Sequence, residues 1–471
     1  MTATMLRARG VLLRYAGWAE SSRWRLWVAI FVPVVGLYLL TLRTDIWDLS
    51  PDPTGVTPSA WALAHHGTPV LPRHLWPIIN PWWVDVGGGN VVSNRTPGLI
   101  YLAAPFYWVM RFAGPEDVVP ASIEAALLTG AAMGTLAVLV RRLATPRTAL
   151  VTGLIAATAT TTWAVSGTAL WPHGPDQLFL CLAMLSLAAQ ASGRAGLAFA
   201  AAVLVRPSLA IVAAVTGGVQ SWRARSLRPA VVIGAVTGLG LALFMLYSAH
   251  HWSVQVTSGG EAITRGAVNG TSTHGYEHQL SNNSLATWGG FLVKVLGALV
   301  SGERGVLVGA PFLLLLAPGL RAAWRDAPAW VRSSAVGGLL YLLVQLKAEV
   351  FTGGICFWSY RYTLETFTLC APLLVLAWTE WTSRTPRRRA AFFALVSIAV
   401  SMQAVGAMCF RGPYDTSPWL FGNLVTVLQG PLAVSAIALL FSGVGVAALI
   451  LRQGWRRTGA SSPPREVVGS R

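Results

Sequence analysis

Apolar positions in this chain neither alternate in twos nor recur on one helical face; they run on without interruption. Such runs occupy 26–42, 118–140, 148–170, 177–192, 195–219, 229–249, 304–320, 333–350, 363–380, 390–410 and 428–451. Roughly 20 apolar residues cross the hydrocarbon of a bilayer. A run of this kind predicts a helix surrounded by apolar material on all sides, not an amphipathic surface helix. Two stretches depart from simple spanning. Arg206-Pro207 interrupts 195–219. Proline disrupts the helix before it, and a charge at mid-depth is costly unless it faces a polar cavity. Two half-depth helices are therefore expected, with Arg206 at an outward-facing turn. The stretch 98–113 carries Tyr101, Tyr107, Trp108 and Arg111, which predicts an interfacial helix on the outer leaflet. The expected fold is all-α: a polytopic membrane protein of about 12 helices (roughly 11 to 13), with two large outer loops, 43–117 and 250–303.

Composition narrows the class. Of the 471 residues, 54% are hydrophobic and 11% are charged, against about 25% charged in ordinary soluble domains. Mean hydropathy is +0.56. A soluble globular protein, a disordered chain and an outer-membrane barrel are all excluded on these grounds.

The net charge of +17 first suggests nucleic acid, but the positions of the charges argue otherwise. Basic residues crowd the short connections 141–147, 223–228, 321–332 and 384–389 and the tail at Arg452, Arg456 and Arg457. Half of the carboxylates lie in the opposite connections: Asp45, Asp48, Asp52, Asp85, Asp176, Glu261, Glu277, Glu303 and Asp415. The basic excess is a topology signal. It places both termini in the cytoplasm of a multi-pass plasma (inner) membrane protein, and nucleic acid is not an expected partner. The first run lacks a small-residue cleavage signature and is read as a retained span. The cysteines, Cys181, Cys356, Cys370 and Cys409, have no metal-ligand spacing. They read as small buried hydrophobes, with room for one disulfide, Cys356 to Cys409.

Candidate chemistry gathers in the outer connections. The segment TDIWDLSPDPTG brings Asp45, Asp48 and Asp52 within eight residues of one another; they are either a general base at the membrane surface or a solvated loop start. His65 and His66 are adjacent and point to different helix faces, so no shared metal is expected. In SNRTPG, Arg95 either meets a lipid phosphate bidentately or anchors a helix at the interface. WPHGPD (171–176) holds His173 and Asp176 in a shaped turn. Glu277 and His278 in the second loop are candidates by residue type. Arg304, in SGERG, sits at a predicted membrane edge. FTGGICFWSYRY (351–362) surrounds Arg361 with Trp358, Tyr360 and other rings, which is either a sugar or isoprenoid-phosphate wall or an aromatic belt.

The order of these pieces resembles one superfamily. An acid follows the first span. Then come Gly67-Thr68-Pro69, SNRTPG leading into a helix with APFY, LWPHGP, VLVRPS, GERGVLVGAPFLLLL and WSYRY. This is similar to the GT-C membrane glycosyltransferases, in particular the bacterial glycosyltransferase 39 group, which is related to protein O-mannosyltransferases. The likeness covers most of 26–380. It implies a transmembrane catalytic region over 1–380, followed by C-terminal helices (381–451) and a basic tail (452–471).

The resemblance further implies sugar transfer on the outer face. The donor would be a polyprenyl-phosphate carrier, and the acceptor a hydroxyl of a glycan, glycolipid or protein. It gives Asp52 the role of base, with Asp48 and Asp45 in reserve, and gives Arg95, Arg206 and Arg361 roles at the donor phosphate. Arg304 joins them by its place at the outer interface. His173, Asp176, Glu277, His278, Trp358 and Tyr360 are the acceptor or sugar candidates. No cofactor or metal is expected. Pro51 and Pro53 flank Asp52 where relatives of the closest type carry Asn and Gly, which leaves the acceptor class open. The rival readings are a flippase for a lipid-linked sugar, which would show repeat symmetry, and an inactive membrane subunit.

Overall fold

The computed structural model describes residues 14–77, 82–252, 255–256, 262–263, 288–348, 356–412 and 419–459. Glu277 and His278 lie outside them, as does most of the second loop. Six of the described helices are long and apolar enough to cross a membrane: α1 (Arg23–Leu40), α4 (Val119–Val140), α9 (Arg228–His251), α12 (Ala329–Ala348), α14 (Pro386–Met408) and α16 (Ala433–Gly459). Between them stand α2 (Thr57–His66), α3 (Pro97–Val109), α5 (Pro146–Thr158), α6 (His173–Ala188), α7 (Ser192–Val205), α8 (Ala210–Ala224), α10 (Trp288–Val300), α11 (Leu320–Asp326), α13 (Leu364–Glu380) and α15 (Gly422–Gln429).

Helix starts follow local chemistry. Ser22, Thr145 and Thr385 accept hydrogen bonds from Arg25 N, Thr148 N and Arg388 N, satisfying amides that the first turn leaves open. Pro146 and Pro386 occupy the first helical positions, where the missing N–H costs nothing.

Three predicted spans are not continuous helices. The run 148–170 ends as an α-helix at Thr158 and continues through turns and a short π-helical stretch, Thr162–Ser166. The run 304–320 breaks into one helical turn and two 3₁₀ segments at Pro311 and Pro318. The run 195–219 divides into α7 and α8 at Arg206. That residue is extended (φ −149°, ψ 102°), as a residue before proline prefers.

The all-α expectation also needs correction. Within the first long connection, β1 (Leu71–Pro72), β3 (Asn90–Ser93) and β2 (Trp83–Gly87) form a small antiparallel sheet. The β2–β3 turn passes through Gly87, Gly88 and Gly89, all at positive φ, so glycine here makes a hairpin that helical periodicity could not reveal. A second two-stranded pair joins β4 (Gln255–Val256) and β5 (Ala262–Ile263). No described cysteine is bridged.

Packing brings the first connection onto the helical bundle. Helix α3 lies against α4 and α7. A Cβ on Gly98 would come within 2.6 Å of the Leu204 backbone, so glycine there lets the SNRTPG segment press against the α7 break. The outer faces of α9 and α16 expose Leu239, Leu246, Phe441 and Leu449, as surfaces bathed in hydrocarbon do.

Candidate functional site

Asp52 stands in a single helical turn, Pro51–Thr54, capped by Ser50 and stiffened by Pro51 and Pro53. The two prolines fix φ on both sides of Asp52 and hold its carboxylate in one direction. Two arginines from distant parts of the chain meet it. Arg95 Nη2 lies 3.0 Å from Asp52 Oδ1, and Arg361 Nη1 donates to Asp52 Oδ2 at 2.7 Å. The Asp52 side chain is 20% exposed and both guanidinium groups are nearly buried. Arg206 is close enough to act on the same carboxylate electrostatically. Burial alone would push the Asp52 carboxyl up; Arg95, Arg361 and Arg206 overcome it and hold the group below the usual carboxylate range.

Each arginine is itself positioned. Arg95 follows β3; its amide donates to Ser93 Oγ, and the Ser93 amide donates to Ser59 Oγ on α2. Its guanidinium stacks over Trp82 at 5.0 Å. Arg361 is packed among Trp171, Phe357 and Tyr362, with ring centroids 4.6 to 5.0 Å away. Its segment is tightly turned: Cys356 and Ser359 are left-handed (φ 64° and 59°).

Arg304 braces that turn. It donates to the carbonyls of Phe357 and Ser359 at 2.8 and 2.9 Å, and lies 3.9 Å over the Phe357 ring. Asn423 adds a bond to the Phe357 carbonyl, and Glu303 accepts from the Asn423 amide. Trp358 is buried, and a Cβ on Gly406 would come 2.2 Å from its ring. Tyr360 is also buried. Both rings belong to the packing under the turn.

A second charged cluster lies behind the first. Arg206 Nε is 3.4 Å from Asp176 Oδ2 and 4.0 Å from Glu365 Oε1, and its Nη1 donates to the Tyr341 hydroxyl at 3.0 Å. His173 Nδ1 is 2.6 Å from Glu365 Oε1. His173, Asp176 and Glu365 are completely buried. Beneath them, Gln177 donates to Thr162 and Thr368. Arg206 thus belongs to both clusters.

The structure brings Asp52, Arg95, Arg206, Arg361, His173 and Asp176 together. Asp45 and Asp48 lie apart. Asp45 caps the next turn by accepting from Trp47 N, and Asp48 lies 3.5 Å from Arg411 Nε. Two members were missed from sequence. Glu365 is a lone acid just inside an apolar run, and an intramembrane ionisable residue is a site signal by default. Tyr341 gives no signal among the apolar residues of α12. Among the described residues, no group of three or more His, Cys, Asp or Glu side chains is arranged to hold a metal ion.

No family model matches the chain, and no curated protein does. Among solved structures, the Archaeoglobus fulgidus oligosaccharyltransferase tethered to an acceptor peptide aligns over 92% of this chain, with TM-score 0.42 and 12% identity. The same organism's oligosaccharyltransferase AglB, in complex with an inhibitory peptide and a dolichol-phosphate, aligns over 90% with TM-score 0.40 and 12% identity. This chain spans 56% of the length of each.

Proposed function

We propose that this protein is an integral-membrane glycosyltransferase of GT-C type. It moves a sugar from a polyprenyl-phosphate carrier to an acceptor hydroxyl. The observation that carries the reading is one carboxylate, Asp52, gripped by Arg95 and Arg361 with Arg206 behind them.

Three cations around one acid are what a charged lipid phosphate leaving group needs. The acceptor oxygen attacks the anomeric carbon, the carbon–oxygen bond to phosphate breaks, and the electron pair leaves with the phosphate. Charge on the phosphate grows as that bond opens, so the arginines stabilise the transition state more than the ground state. Asp52 takes the hydroxyl proton.

The grip on Asp52 bears on timing. Without donor, Asp52 neutralises Arg95 and Arg361 and is a weak base. A phosphate offers those guanidinium groups a better-matched anion. Its arrival loosens Asp52 from its cations, and burial then raises the carboxylate's proton affinity. The protein thus becomes a better base when the donor is present. The second cluster keeps Arg206 oriented.

The test is transfer of label from polyprenyl-phosphate sugars to a membrane acceptor mix, with wild type beside Asp52→Asn. Label moving with wild type alone supports the reading. Label staying on the carrier with both, across several sugars and acceptors, rejects it in favour of a flippase or an inactive subunit.

A further inference from the structure

At the far end of the bundle from Asp52 the protein contains a largely apolar hollow. Helix α13 begins at the charged cluster with Glu365 and ends near Trp378, about 20 Å away at 1.5 Å per residue. Around that distal half, between α5, α13, α14 and α16, lies a cavity of about 720 Å³, well within the size of cavities that hold small molecules. Its walls are apolar, with Phe312, Phe367, Leu374 and Phe393 among them. Its rim is not. Arg147, Thr148, Arg389 and Gln453 line one end.

The two arginines arrive there by the same local device. Thr145-Pro146 opens α5 and Thr385-Pro386 opens α14, so each arginine falls in a first turn that is capped and rigid. Nearby cations are engaged elsewhere: Arg384 with Glu380, Arg388 over Trp381, Arg142 with the Ala188 carbonyl. Arg147 and Arg389 make no side-chain hydrogen bond or ion pair among the described residues.

An apolar slot with two uncommitted guanidinium groups at its mouth is complementary to a molecule with an anionic phosphate head and a hydrocarbon body. We propose that this cavity binds an anionic phospholipid, its phosphate between Arg147 and Arg389 and an acyl chain along Phe312, Phe367 and Phe393. The site is separate from Asp52 and does not rest on the transferase reading.

The test uses the full chain, delipidated in detergent and incubated with equal amounts of phosphatidylglycerol and phosphatidylcholine, with retained lipid counted by native mass spectrometry. Retention of phosphatidylglycerol over phosphatidylcholine by fivefold or more is expected in wild type. Arg147→Gln/Arg389→Gln, which changes only exposed side chains, should bring that ratio to about one. Ala371→Trp, which fills the cavity wall, should remove retention of both lipids. Equal retention of the two lipids by wild type overturns the proposal. So does a preference unchanged in the arginine double variant. Displacement of the lipid by inorganic phosphate alone would reduce the site to a free-anion site and also overturns it.

Discussion

The two charged clusters that meet at Arg206 differ in charge balance and in exposure. Around Asp52 there is one acid to two direct cations, and the acid is partly exposed. Behind it, Asp176 and Glu365 share one guanidinium and one imidazole; both acids and the imidazole have no exposure at all. An exposed cluster with surplus positive charge can take up an anion. A sealed cluster of matched acids and bases cannot exchange partners cheaply, because every charge left alone there loses its compensation. In the proposed transferase, that difference separates the part that would bind and react from the part that fixes Arg206 in place.

Replacements in the two clusters should have different consequences. The largest effect is expected from Asp52→Asn: a loss of transfer of about 10²- to 10⁴-fold, the range for removing a general base, with the fold intact by thermal melting. Next is Glu365→Ala. It strips Arg206 and His173 of their shared acid and should cost about 3–5 kcal/mol in stability, the range for breaking a buried pair, read as a lowered unfolding midpoint. Normal stability in that variant would make the inner cluster dispensable.

Arg361→Ala should alter pH dependence more than stability. In wild type the Asp52 carboxyl lies below its ordinary range. Its ion pairs therefore stabilise the fold at neutral pH, and that contribution fades only as pH falls from about 4 through the depressed value. With one cation gone and burial unchanged, the carboxyl rises. The acid limb of the kcat/KM profile should then shift to higher pH, and an unmoved limb would detach Asp52 from that limb. The smallest effect belongs to Asp48→Asn. The Asp48–Arg411 pair is partly exposed, and pairs open to solvent contribute about 0–1 kcal/mol. Transfer should stay within about twofold of wild type, whereas a loss like that of Asp52→Asn would move the base assignment.

Much of this was legible in the sequence, for identifiable reasons. The long helices follow from unbroken apolar runs, and the break at Arg206 follows from the proline after it. The site arginines stand out because a guanidinium beside apolar runs needs a partner. Periodicity says nothing about the short β2–β3 hairpin, which depends on three glycines at positive φ. It also gives no view of 304–320, where composition reads as a span while Pro311 and Pro318 divide it. Arg304 illustrates the limit of residue-type reasoning. Its charge and position suggest a phosphate ligand, yet its guanidinium donates to two backbone carbonyls, a role that only the tertiary fold assigns. Trp358 and Tyr360 are similar: aromatic rings are equally suited to a sugar wall and to a core, and burial places these two in packing.

In the proposed transferase, Asp52 holds the place a donor phosphate takes. The most direct measurement is the affinity of a sugar-free polyprenyl phosphate for wild type, Asp52→Asn and Arg361→Ala. Tighter binding is expected in Asp52→Asn, because the competing carboxylate is gone, together with lost transfer, and weaker binding in Arg361→Ala. Binding weakened in both variants alike, or unchanged in both, would contradict it.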